Sequence, residues 1–187
     1  MVSITSFFTS AVALLAVPAL AALTPAQTVS NIQALTAKSQ ALQAPAQSIT
    51  IVNGPLILIG LGPFPQIIAG FSDIVSTTTT AITQMQGSSP VPAGADADAI
   101  ADAFREFVRV HQVLLNILIG KAGLFSTVPF IGQPVASALR QVESVVDTVA
   151  FQLIDQVQSK ASDLTQQAKS LDGSLNLAIN SYDGLQV

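Results

Sequence analysis

The chain has 187 residues, half of them hydrophobic, 10% charged and 5% aromatic, with no Trp, which points to a single domain with an aliphatic core and Phe as its large filler. A net charge of −4 at pH 7 excludes a nucleic-acid binder, because no basic patch is available to neutralise phosphates. Zero Cys excludes disulfides, thiol chemistry and Cys-based zinc sites together, so packing alone must supply stability.

Residues 1–21 read as a secretory signal peptide. Ala11 to Val17 make a short apolar run, and Ala19-Leu20-Ala21 offers the small-x-small cleavage pattern. The run is too short for a membrane span, which needs roughly 20 apolar residues. Residues 22–187 then form one helical-bundle domain. Thr24-Pro25-Ala26-Gln27 opens the first helix with a capping box and a proline at the first helical position. Its apolar stripe is thin, Val29, Ile32, Leu35, Ser39 and Leu42, and Pro45 ends or kinks it.

Ser48 to Pro65 is almost wholly apolar, yet it is interrupted by Gly54-Pro55, Gly60, Gly62-Pro63 and Pro65. It is expected to be a buried connector over one end of the bundle, or else an apolar lid or surface-adsorbing loop. Gln66 to Gln86 is the next helix, with Ile67, Phe71, Ile74, Thr78, Ile82 and Met85 on one face. Residues 87–94 are a loop by composition.

The stretch Ala99–Gly120 is expected to be the central helix. Ile100, Phe104, Phe107, Val108, His111, Leu114, Leu115, Leu118 and Ile119 recur at helical spacing, and Val110, Val113 and Ile117 add a second apolar edge. Residues 123–133 form an apolar turn. Pro134 opens a helix in which Val135, Leu139, Val142, Val146, Val149, Leu153 and Val157 alternate four and three steps, the spacing of a bundle seam. A break is expected at Ser159–Ser162. Leu164, Ala168, Leu171, Leu175, Ile179 and Tyr182 carry a last helix, weakened at Gly173. The expected fold is all-α, a five-helix bundle.

Catalytic chemistry is scarce. His111 is the only His, which removes any two-His metal site, and no G-x-S-x-G elbow is present. Asp96-x-Asp98 lacks the glycine and closing Glu of a calcium loop. No enzyme activity, metal or cofactor is expected.

Three stretches carry a likeness: Thr24-Pro-Ala-Gln27 with its Gln/Ala helix, Leu114-Leu-Asn-Ile-Leu-Ile-Gly-Lys-Ala-Gly-Leu-Phe125, and Ala178-Ile-Asn-Ser-Tyr182. Through them the chain resembles the fungal hydrophobic surface-binding protein A and cell-wall galactomannoprotein family. The resemblance implies a secreted five-helix bundle, a long-chain fatty acid in a central apolar cavity for some members, and for others adsorption to hydrophobic surfaces with recruitment of hydrolases. No N-x-[ST] acceptor, Ser/Thr-rich tail or terminal anchor signal is found. The expectation is therefore a secreted, extracellular protein, in the medium or at the cell wall, without N-linked mannan.

Two functions follow. The first is a module holding a long-chain fatty acid or similar hydrophobic ligand inside the bundle. Its expected walls are Phe71, Ile74 and Thr78, then Phe104, Phe107, His111, Leu114 and Leu118, and opposite them Val142, Val146 and Val149. Its headgroup candidates are His111, Thr78 and Lys121. If His111 is the donor, affinity should rise as pH falls through about 6.5. The alternative is a structural, surfactant-like protein that adsorbs to hydrophobic surfaces and has no discrete pocket.

Overall fold

The structure, a computed structural model, describes residues 23–53, 56, 60–125, 131–183 and 185. The leader reading of residues 1–21 lies outside them, as do Gly54-Pro55 and residues 57–59 of the apolar connector. The described residues hold five long helices, one short one and no strand. In chain order they are α1 (Pro25–Ala41), α2 (Gln43–Gln47), α3 (Phe64–Met85), α4 (Ala95–Ala122), α5 (Gly132–Gln156) and α6 (Ala161–Asp183).

Local chemistry sets the boundaries. Thr24 caps α1, its hydroxyl accepting from Gln27 N while Gln27 Oε1 accepts from Thr24 N, with Pro25 in the first turn. Pro45 has no N–H to give to the Ala41 carbonyl four residues back, and the chain kinks at Leu42 before continuing as α2. Gly70 makes room for that kink: a β-carbon there would lie 2.3 Å from a Leu42 methyl. Asp96 and Asp98 sit in the first turn of α4 and Lys121 in its last, both in favourable senses for the helix dipole. The break before α6 is a 3-10 turn over Gln158–Lys160, slightly earlier than expected. Gly173 does not interrupt α6, because tertiary packing on both sides outweighs one glycine's propensity cost of about 1 kcal/mol.

The long helices close into a ring in the order α1, α4, α6, α5, α3 and back to α1. This corrects the expectation of a central helix. α4 is one wall among five, packed between α1 and α6, so Val113 on its outer edge is exposed rather than enclosed. Cross-links give the directions. Asn31 reaches Gln84 and Lys38 pairs with Asp73, so α1 and α3 are antiparallel. Ser39 meets His111 and Lys121 reaches Ile49 O, so α1 with its extension runs parallel to α4. Arg105–Asp163 and Tyr182–Leu118 make α4 and α6 parallel.

Three helices therefore run one way and two return, with loop 86–94 crossing one end. At the near end, where α1 begins, Val91 N donates to Gln156 O and Lys160 pairs with Asp98. At the far end Arg140 pairs with Asp183, and the start of α5 abuts the end of α6.

Five helices about 9 to 10 Å apart in a closed ring put the bundle axis about 8 Å from every helix axis. Long side chains are needed to reach it, and the largest fully buried ones, Phe71, Phe104, Phe107 and Tyr182, belong to one continuous core. Among the described residues no helix is long and apolar enough to cross a membrane.

Candidate ligand site

The eleven wall candidates come from three helices: Phe71, Ile74 and Thr78 from α3, Phe104, Phe107, His111, Leu114 and Leu118 from α4, and Val142, Val146 and Val149 from α5. All eleven are buried. In the ring, α4 does not neighbour α3 or α5, so its residues face the other two sets across the bundle axis.

The three headgroup candidates differ in what the fold leaves them. The Thr78 hydroxyl donates to Ile74 O one turn back, at 2.7 Å. Lys121 Nζ donates to Ile49 O at 2.8 Å, tying the end of α4 to the chain beyond α2. Of the three, His111 alone has a buried polar atom with no partner among the described residues. Its Nδ1 lies 2.8 Å from Ser39 Oγ, while Nε2 has no partner among the described residues. Complete burial lowers the imidazole from its usual 6.5 to about 4. Burial works against the expected pH response, because it holds the imidazole of the unliganded chain neutral through 6.5. Arg105 and Arg109 are exposed and engaged by carboxylates, Arg105 with Asp102 and Asp163, Arg109 with Glu106.

Sequence reasoning missed the open space. A cleft of about 370 Å³ lies at the far end, between the first turns of α3 and α5. It is lined by Phe64, Pro65, Ile68 and Ala69 from one side and Ile131, Pro134 and Val135 from the other, and no wall candidate borders it. Pro65 and Pro134 sit in those first turns, where other residues would present unpaired N–H groups, so the wall stays apolar. Phe64, Ile131 and Val135 also belong to the core, so the floor of the cleft is the edge of that core. The available signal was the pair of Gly/Pro-broken apolar covers that lead into α3 and α5.

The residues that line the cleft carry no charge. No Asp, Glu, Lys, Arg or His occurs from Leu42 to Ser72, nor from Ala122 to Leu139. Ile49 is buried as the connector reading expects, but Ile51 is 65% exposed, Val52 86% and Leu61 56%.

The hydrophobic surface binding protein A family matches residues 25–155. No curated protein sequence matches the chain. Two solved structures share its fold. AFMP4P in complex with palmitic acid superposes with a TM-score of 0.75 at 17% identity, over 85% of this chain and 99% of that one. Ligand binding domain 2 of the Penicillium marneffei MP1 protein, complexed with multiple arachidonic acids, gives 0.69 at 14% identity, over 85% and 94%. With a helical ring, an apolar interior and a family match over most of its length, the chain belongs to the hydrophobic surface binding protein A family.

Proposed function

We propose that this chain is a secreted fungal lipid-binding protein that takes a long-chain fatty acid, or a similarly apolar ligand, into the bundle through the far-end cleft. The cleft carries the reading: about 370 Å³ of space with apolar walls, its floor the edge of the core. Ligand pockets begin at about 300 Å³. The fatty acids held by the two structural neighbours support the same reading. Further in, the walls are the inward faces of α3, α4 and α5, from Phe71 and Ile74 past Phe107, Leu114 and Leu118 to Val142, Val146 and Val149. Burial releases about 0.8 kcal/mol per CH₂, so a sixteen-carbon tail offers roughly 12 kcal/mol gross. Ordering both partners offsets a large part of it, which leaves affinity in the micromolar range. The signal-peptide reading of residues 1–21 puts this activity outside the cell, in the medium or at the wall.

A second activity is favoured by the exposed Ile51, Val52 and Leu61, which make the far end the face that adsorbs to hydrophobic surfaces. The two activities share one end of the molecule and are compatible.

Organic extraction and mass spectrometry of the purified mature protein test the first activity, with co-purified fatty acid the expected result. Ala69→Trp should fill the cleft and Leu118→Trp the interior, each weakening a fluorescent fatty acid at least tenfold. A consistently empty protein with unchanged binding in both folded variants overturns the reading.

A further inference from the structure

The open nitrogen of His111 has a definite polarity, and Ser39 decides it. Ser39 Oγ lies 3.0 Å from Leu35 O and 2.8 Å from His111 Nδ1, both within the buried core. A hydroxyl has one proton, and a carbonyl oxygen only accepts. Both contacts are hydrogen bonds only if Ser39 donates to Leu35 O and the Nδ1–H of His111 donates to Ser39 Oγ. The single proton of the neutral imidazole then sits on Nδ1, and Nε2 presents a bare lone pair to the interior. Buried polar atoms are nearly always paired, so this acceptor calls for a donor.

An ionised carboxylate cannot provide one, because it too only accepts. Nor is a cation at hand to hold such a charge. Lys121 is ten residues further along α4, about 15 Å of helix rise, and bonded to Ile49 O. Arg105 and Arg109 point outward into carboxylates. A hydroxyl, or the O–H of an un-ionised acid, completes Nε2 with no charge to bury. Phe107, with its ring centre 5.4 Å from that of His111, flanks the imidazole with apolar surface.

We infer that His111, with its tautomer set by Ser39, selects long-chain ligands whose head is an uncharged hydrogen-bond donor, an alcohol or an un-ionised acid, over esters and ionised carboxylates. This rests on the interior-binding reading and adds the chemistry of the head.

Two measurements test it. Nitrogen-resolved NMR of the wild-type imidazole at neutral pH should show the Nδ1–H tautomer, and the Nε2–H tautomer overturns the inference. Competition binding should rank 1-hexadecanol about fivefold to tenfold tighter than methyl palmitate, the worth of one net hydrogen bond. Ser39→Ala should bring that ratio close to one while leaving hexadecane unaffected, and His111→Phe should bring it close to one as well. Equal affinity for alcohol and ester in the wild type, with hexadecane still bound, overturns head selection alone and makes Nε2 the acceptor of a resident water. Failure of every probe, hexadecane included, overturns the interior-binding reading and head selection with it.

Discussion

The two ends of the bundle are built from different chemistry. The near end is held by polar ties: Lys160 with Asp98, Arg105 with Asp163, and the Val91 amide on the Gln156 carbonyl. At the far end an apolar cleft lies beside the ion pair Arg140–Asp183, and Ile51, Val52 and Leu61 stand in solvent. Side chains that bury no surface contribute little to folding. Ile51, Val52 and Leu61 are therefore better explained by what the far end meets than by the stability of the fold, while Phe151 and Leu177 stand in solvent elsewhere, on α5 and α6.

The most forceful way to break this contrast is to bury a charge under the far end. Leu118→Asp should cost at least about 3 kcal/mol, because an unpaired carboxylate in the core has no donors. Urea unfolding should show loss of the cooperative transition or a large fall in its midpoint.

His111 lies between the two ends and links the interior to pH. Its folded pKa of about 4 is below the ordinary 6.5, so between those values the unfolded chain binds a proton that the folded chain does not. That contribution is complete above pH 6.5 and lost progressively as pH falls towards 4, a total of about 3 kcal/mol. His111→Leu should remove this part of the acid sensitivity. Matching acid profiles for variant and wild type would show that the imidazole charges without resistance.

Far-end helix packing gives a smaller effect with a built-in control. A β-carbon on Gly132 would lie 2.4 Å from the Tyr182 carbonyl oxygen, which is backbone and cannot swing aside. Gly132→Ala should destabilise by about 1–3 kcal/mol. Gly173→Ala, exposed in mid-helix with no atom near the new methyl, should stabilise by about 0.5–1 kcal/mol. Thermal unfolding of the pair checks the signs.

The smallest effect is expected at the near end. Lys160 and Asp98 are largely solvated, and Lys160→Ala should leave the unfolding midpoint nearly unchanged, with less effect still in high salt. Adsorption to a hydrophobic surface should be unchanged in that variant, whereas Ile51→Ser with Val52→Ser should reduce it severalfold. Equal adsorption by both variants would mean that the two ends do not divide the work.

Much of the architecture was legible residue by residue. Thr24-Pro25-Ala26-Gln27 contains its own cap, the inward stripes of α3, α4 and α5 follow from helical spacing, and the kink at Pro45 follows from a missing N–H. These features depend on neighbours within one or two turns, so local sequence determines them. The same locality makes His111 readable as an inward-facing residue and Arg105 and Arg109 as outward-facing ones.

Periodicity says which face of a helix is buried but not which helix covers it. Only tertiary structure decided that α4 is one wall of a ring rather than its centre, which exposes Val113. It also decided that Ser39, 72 positions from His111, meets the imidazole, and that α3 and α5 begin side by side with a cleft between them. Pairings at such separations are chosen by the closure of the whole ring, where the summed burial of five helices outweighs the preference of any one segment. The sequence by itself determined an all-α bundle with an aliphatic interior; the order of helices around the ring decided where the cleft lies and that His111 Nε2 is buried without a partner among the described residues.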